Sequence, residues 1–414
     1  MFDVCIIGFG RVGCPLGLSL EEKGLSVTAV DKDFALRDSI NRLKMMPFFE
    51  PGYDELLKSS KIKVHDLEDF PESKAYIITV GTPLAQHIET DLSQVKSVLD
   101  TLINKINIKG KTIILRSTVA PGTTKFVRSY IISKTKLTVG YDVFLAMCPE
   151  RLAEGVAKKE LTELPQIIGV NDSNSFLEAS KIFQKLGVKI FQCNYIQAEL
   201  AKLFCNIYRY INFAIPNYFT YIADTFDVDI YELFKIMNTD YPRNNGLKSP
   251  GFAAGTCLRK DFGMINEFFP QTDFILQAYK INEYMPKLLV KLVSSNIRGQ
   301  KVGILGYTMK SDTDDVRDSL TPKLIRYIER LLPSKIMVAE PNIKQHNIHD
   351  QINDMYLDNY NVNEVISECK IIFIVMNHSQ FNFLKDEEVQ DQLFDNKTVV
   401  DVWNILGHSL VNRW

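Results

Sequence analysis

Asp3-Val-Cys-Ile-Ile-Gly8-Phe-Gly10-Arg-Val-Gly13 is a short apolar run that breaks into three glycines spaced G-x-G-x-x-G. A run with no polar face is how a parallel strand buried on both sides reads. An amphipathic stretch comes next, from Leu16 to Glu22, and stops near Gly24; a second apolar run, Leu25 to Val30, finishes at Asp31. Gly8 and Gly10 let the backbone turn tightly and approach a pyrophosphate, and the helix N-terminus behind them offers N–H groups and a partial positive charge. Asp31 can accept hydrogen bonds from both hydroxyls of a ribose, which selects NAD over NADP because a 2′-phosphate would face a carboxylate. A lone G-x-G-x-x-G equally fits a glycine-rich turn with no ligand; strand, helix and acid at their expected offsets make it specific.

Working outward, strand patterns recur at Ala75–Val80, Thr112–Leu115 and Val143–Ala146, with a helical pattern over Asp91–Ile103. This alternation predicts a doubly wound α/β unit over residues 1–195. Leu200, Leu203, Phe204, Ile207, Ile211 and Ala214 then recur every three or four residues. That spacing predicts a long helix from Ile196 to Phe226, interrupted at Pro216. Helical patterns at Ile230–Met237 and Phe274–Ser294 extend a central helical unit over residues 196–295. The α/β alternation returns at Gly303-Ile-Leu-Gly306, with strands predicted at Lys301–Leu305, Lys335–Val338, Ile371–Val375 and Thr398–Val402. The expected architecture is α/β: two Rossmann-like domains, the second over residues 296–414, joined by a long central helix.

A chain of 414 residues, 46% hydrophobic and 24% charged, reads as a soluble globular protein of two or three domains. Its 48 Lys and Arg nearly balance 50 Asp and Glu, which argues against a general nucleic-acid or membrane-surface binder and leaves room for a local basic pocket. No apolar run long enough to span a bilayer and no basic-then-apolar leader stands out, so neither a membrane span nor a secretory signal is expected. Seven cysteines, an odd number scattered along the chain, fit a reducing cytoplasm. The histidines and cysteines do not cluster at zinc-ligand spacing, so no metal site is expected.

Three groups of residues have chemistry to offer. Cys257, in Pro250-Gly-Phe-Ala-Ala-Gly-Thr-Cys-Leu-Arg-Lys-Asp261, is flanked by small residues and followed by Lys260, surroundings that suit an activated thiol. Taken alone it is better read as a packed cysteine. Glu150 and Glu154 would share a face if their segment is helical, though a solvated carboxylate pair has the same pattern. Lys202 and Asn206 have the same spacing on the long apolar helix, and polar groups there are either satisfied core residues or members of a site.

Together these residues resemble the UDP-glucose/GDP-mannose dehydrogenase family, the nucleotide-sugar 6-dehydrogenases. The motifs carrying the likeness are Gly8–Gly13 with Asp31, Pro47-Phe-Phe-Glu50-Pro-Gly52, Val80-Gly-Thr-Pro83, Arg116-Ser-Thr118 with Pro121-Gly-Thr, and Cys148-Pro-Glu-Arg with Glu154-Gly155. Ala201-Lys202 with Asn206, the Cys257 segment and Leu305-Gly-Tyr-Thr-Met-Lys310-Ser-Asp-Thr-Asp-Asp-Val-Arg317 complete it. The resemblance implies a four-electron oxidation of a sugar C6 hydroxyl to a carboxylate with two NAD⁺. It makes Cys257 the nucleophile that attacks an aldehyde, and Lys202 and Asn206 the stabilisers of the oxyanion. Thr118 and Asp261 hold the water that removes the first proton, and Glu154 assists thioester hydrolysis. It also implies cofactor contacts at Gly8, Gly10, Arg11, Val12, Gly13, Asp31, Gly81, Thr82, Thr118 and Arg317. Substrate contacts are implied at Glu150, Arg151, Leu152, Lys202, Asn206, Gly251 and Lys310, and at Arg243 reaching from a neighbouring subunit, which implies a homodimer. The C-terminal unit would hold the UDP.

Ala254, Arg259 and Trp403 depart from the pattern, standing where many relatives carry glycine, proline and arginine. Cys148-Pro-Glu-Arg and the step from Arg243 to Cys257 look like the N-acetylhexosamine branch, whereas Glu154-Gly155 looks like UDP-glucose enzymes. UDP-glucose and UDP-N-acetylhexosamine are therefore level as expected substrates, ahead of GDP-mannose. A two-electron dehydrogenase and an inactive nucleotide-binding homologue are the competing readings: the first needs neither the cysteine nor a second α/β unit, and the second predicts loss of residues that are present here.

Overall fold

The computed structural model describes residues 1–85, 89–269, 273–350 and 353–413, with backbone only at 256–259, 267–268 and 413. The chain packs as two units, Met1–Cys205 with Lys260–Gln271, and Asn206–Arg259 with Thr272–Trp414. Residues 196–295 are thus shared between the two.

In the first unit eight strands form one sheet: β1 (Phe2–Ile7), β2 (Val27–Val30), β3 (Val64–His65), β4 (Ser73–Ile78), β5 (Thr112–Leu115), β6 (Phe144–Met147), β7 (Gln166–Gly169) and β8 (Ile190–Cys193). Their order is β3-β2-β1-β4-β5-β6-β7-β8. The absence of polar residues in the second half of β1 has a direct cause, since both its faces are covered. Val4 and Ile6 pack into one hydrophobic layer with Ala29, Ile77 and Ile114, and Cys5 and Ile7 into the other with Val30, Ile78 and Leu115. Because β1 lies between β2 and β4, the strand order reverses there, and the crevice beyond the carboxyl ends of β1 and β4 is where such sheets bind ligands. The last two strands match no expected pattern. β7 meets β6 antiparallel, with Met147 opposite Gly169, and β8 runs parallel to β7.

The second unit holds β9 (Lys301–Leu305), β10 (Lys335–Ala339), a hairpin of β11 (Asn347–Asp350) and β12 (Met355–Asp358), β13 (Ile371–Ile374), β14 (Thr398–Asp401) and β15 (Val411–Arg413). The main sheet runs β10-β9-β13-β14-β15, parallel except for β15. The long helix spans Tyr195–Thr225 and continues through Pro216, where an interruption was expected. One missing N–H does not break a helix packed along its length. Beyond the proline, buried Asn217 bonds Asn282 Oδ1 at 2.9 Å, and Asn282 donates to the Tyr210 carbonyl at 3.1 Å, tying both sides of the proline to one neighbouring helix, Asp273–Ile297.

Candidate functional site

The glycine turn comes directly after β1. Gly8 has φ 91°, and a Cβ there would press on the Thr79–Val80 backbone at 3.1 Å. A Cβ at Gly13 would lie 2.1 Å from the Gly8 carbonyl, so only glycine lets the helix Gly13–Glu22 start so close to the strand. A Cβ at Gly10 would meet nothing within 4 Å, leaving that side of the turn open to a ligand. Asp31 closes the far side: one carboxylate oxygen accepts from Phe9 N at 2.6 Å and the other from Asp33 N at 2.9 Å. Arg37 donates to the Asp31 carbonyl and pairs with Asp66 at 2.6 Å. The turn, the helix start and the acid fit a dinucleotide.

Glu150 and Glu154 are not on a shared helical face: residues 148–156 form a loop between β6 and the helix Ala157–Glu163. Pro149 and the left-handed Gly155 (φ 84°) shape it. The two acids accordingly have different basic partners. Glu150 lies 3.7 Å from Lys202 Nζ, both side chains being largely buried, and it also accepts from Leu152 N. Glu154 lies 3.7 Å from Arg11, whose guanidinium also stacks on Phe48 at 5.1 Å. A residue of the glycine turn is thereby joined to a candidate catalytic carboxylate. Arg151 turns its guanidinium to the Pro165 carbonyl.

Thr82 and Thr118 meet in the same unit. The buried Thr82 hydroxyl donates to the Thr118 carbonyl at 2.5 Å and accepts from Lys260 at 3.2 Å. Gly81 and Thr82 lie just beyond β4, the strand beside β1. Asp261, the next residue after Lys260, is fully buried. Lys202 and Asn206 are one turn apart on the long helix, both buried. Val12 directly precedes the helix that starts at Gly13.

In the second unit the loop before Cys257 is held at both ends. Gly251 donates to and accepts from the Asn217 amide (2.9 and 3.0 Å), and a Cβ on it would strike the Trp403 ring at 2.5 Å. Gly255 takes φ 101° and donates to the Asp318 carbonyl at 3.1 Å. Trp403 thus packs against the loop, its indole N–H on the Val375 carbonyl at 2.8 Å. Cys257 falls in the first turn of the helix Thr256–Phe268; its side chain and that of Arg259 lie outside the described residues. Lys310 and Arg317 sit on the loop after β9, Arg317 forked onto buried Asp315 at 2.6 Å. Arg243 is exposed on the turn Pro242–Asn244.

Residues 2–187 match the NAD binding domain of the UDP-glucose/GDP-mannose dehydrogenase family, residues 196–284 its central domain and residues 303–408 its UDP binding domain. The chain belongs to this family. It is similar to the UDP-N-acetyl-D-mannosamine dehydrogenase of Methanococcus vannielii, 30% identical over 98% of this chain and 94% of that protein. It is likewise similar to the UDP-glucose 6-dehydrogenase of Rickettsia conorii, 28% identical over 99% and 97% of the two chains. The solved structure of a UDP-D-ManNAc dehydrogenase from Pyrococcus horikoshii superposes with a TM-score of 0.84 at 28% identity, covering 97% of this chain and 96% of that one. The protein is an NAD-dependent nucleotide-sugar dehydrogenase, and among the described residues no helix is long and apolar enough to cross a membrane.

Several residues that shape this dehydrogenase's candidate site were given no role in the sequence reading, Glu50 and Arg116 standing there only as motif members and Glu199 not at all. Buried Glu50 accepts from Gly155 N and Ala157 N, both at 2.9 Å, and so fixes the loop around Glu154. Buried Glu199 accepts from Gly122 N at 2.7 Å and Thr124 N at 2.6 Å, docking the long helix on the segment just beyond Thr118. Its place three residues before Lys202, on the same helical face, was the available signal. Arg116 is buried against Gln166 and the Cys148 carbonyl; desolvation lowers its pKa against the opposing pull of Glu150.

Proposed function

We propose that the enzyme oxidises the C6 hydroxyl of a UDP-N-acetylhexosamine to the uronic acid, in two hydride transfers joined by a covalent step on Cys257. The observation that carries this reading is the joining of the glycine turn to the candidate site through Arg11 and Glu154, beside the buried Glu150–Lys202 pair. The end-to-end likeness to UDP-N-acetyl-D-mannosamine dehydrogenases supports the N-acetylhexosamine, and N-acetylmannosamine first among them. UDP-glucose is the second reading, favoured by the Rickettsia conorii relative.

Bound NAD⁺ supplies a hydride acceptor at each oxidation. A water held by Thr118 and Asp261 removes the C6 hydroxyl proton in the first oxidation. The aldehyde has no second hydride to give until a nucleophile makes it tetrahedral, so the Cys257 thiolate adds to form a thiohemiacetal. Its place in the first turn of a helix, where N–H groups point outward, favours the thiolate. Lys202 and Asn206 hold the oxygen as charge collects on it, in a site dry enough for both to be buried. The second oxidation leaves a thioester, which water cleaves with Glu154 as base or positioner. Arg243 contacts the partner's substrate in a homodimer. Phe204, Tyr208, Ile215, Tyr218, Ile222 and Phe226 support that assembly: they are large exposed apolar residues along the long helix or just past its end. The cysteine usage fits a cytoplasmic location.

Counting NADH per sugar consumed tests the reaction. Two per sugar is expected, with UDP-N-acetylmannosamine giving the highest kcat/KM among UDP-glucose, UDP-N-acetylhexosamines and GDP-mannose. One NADH per sugar would establish a two-electron dehydrogenase, and none an inactive homologue.

A further inference from the structure

The turns after β1 and β9 share one register. Ile7 pairs with Val30 and Leu305 with Ala339, Gly8 N bonds the Val30 carbonyl at 2.8 Å, and Gly306 N bonds the Ala339 carbonyl at 2.9 Å. An acid comes after each second strand, Asp31 in one unit and Glu340 in the other. Phe9 N reaches Asp31 at 2.6 Å, and Tyr307 N reaches Glu340 at 2.7 Å.

From there the two diverge. Glu340 also accepts from Thr308 N at 3.1 Å and from Asn342 N and Nδ2 at 2.9 and 3.1 Å. His378 Nε2 lies 3.0 Å from the same carboxylate, and both side chains are wholly enclosed. His378 Nδ1 receives Asp312 N at 3.0 Å, which puts the ring proton on Nε2, facing Glu340. Asp312 in turn accepts from Ser379 N at 2.8 Å and Ser379 Oγ at 2.9 Å. The first two amides beyond Gly306 are therefore engaged inside the protein, and the chain continues there as a loop rather than a helix start. That loop carries Lys310, whose carbonyl takes the Thr308 hydroxyl at 2.9 Å.

We propose that Glu340 and His378 are positioning residues for nucleotide-sugar binding: a buried carboxylate–imidazole pair fixes the 307–318 loop so that the Lys310 side chain, in place of turn amides, meets the anionic diphosphate. This rests on the UDP-sugar reading above. A carboxylate with four amide-type donors and an imidazole is a rigid anchor, because releasing it would strand a buried charge.

The test is calorimetric titration of the full-length protein with UDP alone and with NAD⁺ alone, comparing wild type, Glu340→Gln and Asp312→Ala. Asp312 is half exposed, so its replacement removes the carboxylate's bonds to Ser379 and its 3.9 Å approach to His378 Nδ1, at a backbone of φ 54° that alanine adopts at a small cost, and leaves a folded control if Glu340→Gln does not fold. Glu340→Gln is expected to weaken UDP about tenfold or more, and Asp312→Ala about threefold, on the scale of a lost hydrogen bond or two. NAD⁺ affinity should stay unchanged in both, and the KM for UDP-sugar should rise without a matching fall in kcat. Folded variants that bind UDP like wild type, or that lose UDP and NAD⁺ alike, would overturn the proposal. A wild-type protein that binds NAD⁺ but not UDP would instead overturn the UDP-sugar reading, and the loop's role with it.

Discussion

Asp31 and Glu340 occupy the same place in two copies of one architecture, yet Asp31 is partly exposed with a single turn amide bound, while Glu340 is sealed and saturated. The difference lies in their surroundings. The turn beside Asp31 runs at once into a helix, an arrangement that suits an anionic ligand; around Glu340 an asparagine and a histidine close the position. A strand-end acid thus suits a ribose in one unit and holds its own backbone in the other. Topology supplies the position and local side chains decide its use.

If the second unit contributes the thiol as well as the nucleotide-sugar loop, the largest effect should come from Cys257. Cys257→Ser should bind UDP-sugar and NAD⁺ but lose net turnover to the uronate by about a thousandfold or more, since a serine hydroxyl near neutral pH is a far weaker nucleophile than a thiolate. Cys148→Ser is the control. Burial pushes the Cys148 thiol far up, out of the range where a thiolate forms, and its replacement should cost packing alone. Near-normal turnover of Cys257→Ser beside a dead Cys148→Ser would assign the chemistry to the other thiol.

The sealed acid should declare itself in stability. Burial alone would raise the pKa of Glu340, but His378 and the amides of Tyr307 and Asn342 outweigh it and hold the carboxyl below its ordinary value of 4.5. A folded pKa below the unfolded one gives stability that is present above about pH 4.5 and is lost as the pH falls through the folded value. Urea unfolding of wild type and Glu340→Gln should differ by roughly 3 kcal/mol from about pH 5 to 7, as expected for breaking a buried pair, and the gap should narrow below about pH 4.5. A gap that stays constant into acid would show that the charge of Glu340 does not matter.

The contrast also explains what was legible beforehand. Strand, glycine turn, helix and Asp31 lie within 31 residues, and each signal is local, so β1, β2 and the turn of an NAD binding domain could be read directly. The turn after β9 keeps only two glycines, and apart from neighbouring Asn342 the partners of Glu340 come from residues 307, 308 and 378, separations of 32 to 38 residues over which a sequence shows no pattern. Asn217 and Asn282 were missed for the same reason: each satisfies the other across 65 residues. Glu150 and Glu154 would have shared a face only in a helix, and with Pro149 before them and left-handed Gly155 after them the segment is a loop. The antiparallel β15 has no alternation in three residues that distinguishes it from a coil. Of the candidate site, the residue types were visible and their pairing was not: nothing in the spacing joins Arg11 to Glu154 or Glu150 to Lys202.

The smallest effect is expected at the open acid. Asp31→Asn keeps an oxygen for Phe9 N, so the glycine turn should stay in place, but it removes the charge that would face a 2′-phosphate. Wild type should prefer NAD⁺ over NADP⁺ by about tenfold or more in kcat/KM, and in Asp31→Asn that ratio should fall to a few-fold, the loss being one charge and part of a ribose contact. It should not invert. Arg37 is a cation close at hand for a 2′-phosphate, but its guanidinium already serves the Asp31 and Lys32 carbonyls and pairs with Asp66 at 2.6 Å. Adding Asp66→Asn should remove the ion pair and leave the guanidinium on its two carbonyls with its charge unopposed, and the double variant should then favour NADP⁺ more than either single one. If the cofactor ratio is the same in wild type and Asp31→Asn, the exposed acid does no more than its buried counterpart, and the distinction between the two strand ends fails.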